Sequence, residues 1–181
     1  GVKLATESSY QVITNRSFDS DHNVLNQKVI NYLDASGLVV LDVQEIRNLS
    51  FDTRGNVLEQ RIATFTDELE TTLLDVKVIL NEGLDALGNA SKVTIRKYRS
   101  GSVDGEVINY SNFVDASVIT TASFDLRGNA LAQTVEKFRA EDLTNKVETQ
   151  AISNAPYDFH DRAAVSNIVT TNSAGDIVDK Q

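Results

Sequence analysis

Cysteine is absent from this sequence. That excludes a disulfide framework, a thiolate zinc site, a thiol nucleophile and an iron–sulfur cluster. Tryptophan and methionine are absent too, Pro156 is the only proline, and aromatic residues make up 7%. Cations are in the minority, 17 Lys and Arg against 26 Asp and Glu, for a net charge of −9. A phosphate-backbone partner needs clustered Lys and Arg, so the balance argues against nucleic acid and against adsorption to anionic lipid. No apolar run approaches the roughly 20 residues of a membrane helix. No signal-peptide pattern opens the chain at Gly1, as expected of a processed or trimmed start.

What the sequence has is repetition. Ser50 to Phe65 reads SFDTRGNVLEQRIATF, and the phrase returns at Ser123 to Phe138 as SFDLRGNALAQTVEKF. It recurs in altered form at Ser17 to Tyr32, at Leu84 to Tyr98 and from Tyr157 onward. The opening positions Phe18, Phe51, Leu84, Phe124 and Tyr157 are spaced by 33, 33, 40 and 33 residues. A fixed period of this size marks a repeat architecture, whose units bury their apolar faces against neighbours. The longer interval carries an insertion, Arg99 to Asn112, rich in Gly and Ser and flanked or occupied by Tyr98 and Tyr110.

Each period holds a strand, a turn, a second strand and a second turn. Gly and Asn accept positive φ at low cost, so Asp-x-x-Gly-Asn between alternating segments signals a hairpin. The reading is an all-β chain forming one repeat domain over residues 1–181, an antiparallel hairpin meander of about five units. A β-solenoid is the alternative, because spacing alone does not separate the two. Both faces of the strands are semi-apolar, which implies cover on both sides or curling around a partly polar lumen. The recurrent Gln27, Gln60 and Gln133 read as amide ladders between strands. Neither end has the polar face of a terminal cap, which implies a window from a longer array or a subunit that pairs with its neighbours.

The phrase resembles the YD (tyrosine–aspartate) repeats of the bacterial RHS family. It stands as Phe51-Asp52 with Gly55-Asn56 and as Phe124-Asp125 with Gly128-Asn129, with Phe in place of Tyr. Phe18-Asp19 lacks the Gly, and Gly88-Asn89 follows Leu84-Asp85 without the aromatic. The resemblance implies a secreted or surface-displayed β-scaffold, often part of a giant protein, whose repeats encapsulate or present something else and are not catalytic.

Sites for chemistry are scarce. Asp19-x-Asp21-x-Asn23 opens like an EF-hand loop, but Val24 and Ile30 occupy the positions that need Gly and Glu. No cofactor is implied; a looser calcium site shared by turn aspartates such as Asp19 and Asp52 competes with simple turn capping. The two histidines, His22 and His160, have no metal-ligand spacing, and no G-x-S-x-G phrase supports a triad. No phosphate-binding loop occurs, so no enzyme is expected. Glycosylation sequons stand at Asn15, Asn48, Asn89 and Asn109, as chance alone gives in an Asn- and Ser-rich chain.

The expectation is a structural segment of an extracellular or cell-surface fibre, with other copies or repeats as partners. The alternative is an adhesin-like module holding carbohydrate or a surface protein through residues 99–112, with Tyr98 and Tyr110 as contacts, since projecting loops concentrate binding residues.

Overall fold

The computed structural model describes residues 10–154 and 156–181. Eleven strands form one sheet in which sequence neighbours pair in order, an antiparallel meander not closed into a barrel. They are β1 (Tyr10–Phe18), β2 (Val24–Tyr32), β3 (Val40–Phe51), β4 (Val57–Phe65), β5 (Leu73–Leu84) and β6 (Ala90–Asp104), then β7 (Val107–Phe124), β8 (Ala130–Phe138), β9 (Lys146–Asn154), β10 (Ser166–Asn172) and β11 (Ile177–Lys180). The hairpin reading therefore holds, and the parallel coil does not.

Register repeats with the sequence. Asn15 faces Gln27, Asn48 faces Gln60, Thr121 faces Gln133 and Asn154 faces Ser166. Immediately beyond the first three pairs the register slips by one residue, extruding Arg16, Leu49 and Ala122. Such bulges bend the strand and strengthen its twist just before each turn. A side-chain hydrogen bond joins every one of the four pairs, including Gln60 Nε2 to Asn48 Oδ1 at 2.6 Å and Gln133 Nε2 to Thr121 Oγ1 at 3.1 Å. The bond runs amide to amide at Gln27 and Gln60 and amide to hydroxyl at the other two pairs, and together they tie β1 to β2, β3 to β4, β7 to β8 and β9 to β10.

The aromatic that opens each phrase is not the core residue. Phe18 is 52% exposed, whereas the closing aromatics Tyr32, Phe65, Tyr98 and Phe138 lie between 3% and 9%. The closing position ends a strand whose alternation points it inward; the opening one sits at the turn.

The chain divides into two compact units. The first takes the chain up to Lys77 together with Tyr98–Asn112, and the second takes Val78–Lys97 with Phe113–Gln181. In the second, Ala116, Val118 and Phe138 form a buried cluster with Phe113 and Leu143 against it. In the first, the interior face of β3 and β4 carries Val43, Glu45 and Arg47 opposite Phe65, Ala63 and Arg61. That face is half apolar and half ionic, and what covers it is the insertion.

Candidate functional site

The stretch expected as a projecting loop is the end of a long hairpin. β6 and β7 continue to a two-residue turn at Gly105-Glu106, with φ +55° at Gly105. Where other periods close with a short turn, this one extends and lies over the first unit's inner face. Gly101 makes the approach: a Cβ there would strike the Asn109 carbonyl oxygen and Val76 Cγ2. Ile108 is 1% exposed.

The tip is held by charge and hydrogen bonds. Arg47 donates from Nε and Nη2 to the Gly105 carbonyl, at 3.2 and 2.7 Å, and from Nη1 to Glu45 Oε2 at 3.0 Å and the Ile46 carbonyl at 2.9 Å. Arg16, extruded by its bulge, forks onto the same carboxylate at 2.7 and 2.8 Å. Asn26 Nδ2 donates to Glu106 Oε1 at 3.1 Å, and Arg61 Nη1 to the Ile108 carbonyl at 3.3 Å. The β4–β5 turn covers the other end of β2: Lys28 bonds Glu70 at 2.6 Å, and the Tyr32 hydroxyl bonds Glu68 at 2.6 Å.

Glu45 and Arg47 are 1% and 2% exposed. Burial raises the Glu45 carboxyl, but hydrogen bonds from Arg16 and Arg47 outweigh it, so it titrates below the ordinary carboxylate range. Its hydrogen bond to Arg16 holds that guanidinium above its usual value. A buried ion pair is costly to desolvate and contributes little net stability, but it is intolerant of losing one member. This cluster therefore acts as a position-specific clasp for the hairpin tip.

Tyr98 and Tyr110, expected as partner contacts, pack against one another in the first unit, where Tyr110 stays half-buried. Their ring centroids lie 4.4 Å apart, Tyr98 is buried, and the Arg61 guanidinium sits 5.1 Å from the Tyr110 ring.

The turn residues form a second ordered set. Asp19, Asp52, Asp85 and Asp125 each accept backbone N–H bonds two and four residues on at Oδ1, and the Asn amide four residues on at Oδ2. At Asp158, Arg162 replaces the Asn and forks onto Oδ2. At Asn172 the roles swap, its amide capping the turn and donating to Asp176. The Asn side chain, then its backbone N–H, holds the Asp52 carboxyl far below its usual range, and the same two contacts lower Asp125.

Gly55, Gly88 and Gly128 stand at φ +83°, +86° and +89°. Two of them have a further reason to be glycine. A Cβ on Gly128 would lie 2.8 Å from Asn89 Oδ1, and one on Gly55 would meet Asn23. Asn23 and Asn89 thus pack on the Gly of a neighbouring turn. That contact spans a whole repeat, so the local motif gave no sign of it. His22 and Asp161 occupy the Gly position at φ +66° and +58°.

These oxygens are already committed to turn donors, and Arg54 adds a guanidinium to Asp52 at 3.1 Å. Among the described residues no group of three or more His, Asp or Glu side chains lies together. Of the sequon residues, Asn48 and Asn89 spend their amides on Val24 and Asp85, while Asn109 is exposed. Comparison with protein families, curated proteins and solved structures finds no match to this chain.

Proposed function

We propose that this chain is a structural repeat segment of an extracellular or cell-surface fibre or giant surface protein, assembling by strand pairing between repeats or copies. The observation that carries this reading is the recurrence of one bonding scheme: the same Asp-capped turn and the same cross-strand side-chain pair at equivalent positions. Its ordered polar groups are spent on holding strands together, not on presenting a nucleophile or a paired acid and base. The resemblance to YD repeats supports a surface scaffold that presents or encloses something else. No enzymatic role is proposed.

Electron microscopy and sedimentation over a range of concentrations test it. Filaments or ordered oligomers that grow with concentration are expected. Ile13→Lys on β1, where Ile13 is 54% exposed, should suppress them, because a charge on an edge strand disfavours pairing. Monodisperse monomers at every concentration would sink the proposal.

A further inference from the structure

β1 has one strand neighbour among the described residues, β2, so its other edge is an open row of backbone donors and acceptors. Open edges are usually blunted by Lys, Pro or bulges along their length. From Tyr10 to Asn15, β1 has no such device. The segment YQVITN holds no charge, Pro or Gly, and Val12, Ile13 and Thr14 are β-branched. Arg16, the strand's one charge, is already bound to Glu45. In a chain of net charge −9, two copies can meet here without opposing acids. At the other edge of the sheet, β11 carries Asp179 and Lys180 among its four residues, a charged stretch that discourages pairing.

On the face opposite the hairpin, β1 presents Gln11, Ile13 and Asn15, set against Asn31, Val29 and Gln27 of β2. The amides on this face bond in a directional row. Gln27 Nε2 donates to Asn15 Oδ1 at 2.7 Å, Gln11 Nε2 to Asn31 Oδ1 at 2.8 Å, and Asn31 Nδ2 to Asp42 Oδ1 at 2.8 Å. The open strand is left with one donor group and one acceptor: among the described residues, Asn15 Nδ2 and Gln11 Oε1 have no hydrogen-bond partner. Each is what the other needs. They stand four residues apart on one strand, about 13 Å, so they can meet only between two copies.

Directly opposed residues share a face, so in a continued sheet the odd-numbered residues of β1 oppose odd-numbered ones. An antiparallel pair of β1 strands centred on Val12 sets Gln11 against Ile13, and one centred on Thr14 sets Ile13 against Asn15. Centred on Ile13, the pair sets Ile13 against itself, Val12 against Thr14 and Gln11 against Asn15. The free Asn15 donor of each copy then meets the free Gln11 acceptor of the other. We infer that β1 pairs antiparallel with β1 of a second copy of this chain, about a two-fold axis at Ile13. Such a contact uses the same edge twice and closes on itself as a dimer. The inference rests on the strand-pairing reading and narrows it to one edge, one partner and one register.

The test is sedimentation of the whole chain over a range of concentrations, with cysteine cross-linking in a chain that has no cysteine of its own. A monomer–dimer equilibrium is expected. Ile13→Cys should oxidise to a covalent dimer; Gln11→Cys and Asn15→Cys should each do so poorly alone and readily when mixed. Asn15→Asp still accepts from Gln27 but turns the free donor into an acceptor, and should weaken the dimer about tenfold. Gln11→Glu adds the same charge and keeps the acceptor, so it should weaken the dimer less. Monomers at every concentration would overturn the inference and the strand-pairing reading together. Equal weakening by both acids, assemblies that grow past two, or Ile13→Cys that oxidises with Val178→Cys and not with itself, would overturn the inference alone.

Discussion

At the scale of the residue, the turn position three after each Asp decides how cheaply the chain reverses. A left-handed backbone costs an L-residue about 1–2 kcal/mol, and Gly escapes that penalty at an entropic cost of about 0.5–1 kcal/mol. His22→Gly should therefore raise the urea midpoint slightly, by up to about 1 kcal/mol in stability. Gly128→Ala should lower stability by about 1–3 kcal/mol, because a strained φ and the Asn89 side chain both oppose the methyl. At the ionic cluster, Arg47→Met leaves Glu45 buried beside Arg16 alone and drops the bonds to Gly105. A loss of about 3–5 kcal/mol in denaturant unfolding is expected, with altered tyrosine fluorescence as Tyr98 and Tyr110 separate.

At the scale of the element, strands and first turns were legible because their determinants are local. Val57 to Phe65 alternates without a breaker and is β4, and Asp52, Gly55 and Asn56 contain their own turn chemistry. The hairpin cover was not legible. Arg47 meets Gly105 across 58 residues, a contact with no local signature, so a Gly- and Ser-rich insertion read as a loop. A signal did exist: Val43, Glu45 and Arg47 share one face of β3, and such charges in an otherwise apolar series call for a polar covering layer. The closing aromatics were similarly visible as phrase ends, while the opening Phe drew attention because it sits in the motif. Gly101→Val tests the cover directly. Forcing a side chain between Asn109 and Val76 should cost about 1–3 kcal/mol and expose Ile108 to hydrogen exchange, while the turn at Asp125 keeps its protection.

At the scale of the whole molecule, the acids set the response to pH. The carboxyls of Asp19, Asp52, Asp125 and Asp158 and that of Glu45 all titrate below their ordinary values, the turn acids chiefly through a neighbouring Asn or Arg side chain. A lowered folded value means the unfolded chain binds more protons, so stability is full above the unfolded pKa and falls as acid is added. Urea midpoints should stay nearly level from about pH 7 to about pH 5, then decline below about pH 4, where unfolded carboxylates protonate. A midpoint that rises on acidification would contradict the turn and cluster assignments together. Assembly belongs to this scale as well, and Ile13→Lys separates it from folding, since it should block association without moving the midpoint.

The Asp–Asn clamps also bear on how the protein ages. Asn56 and Asn129 each give an amide proton to the aspartate that opens their turn, at 3.0 Å. Slow hydrolysis of either amide would leave a carboxylate facing a carboxylate, turning a donor into a repelling acceptor without any change in chain length. The lifetime of the fold would then be set by asparagine chemistry at a few bends and not by the strands between them.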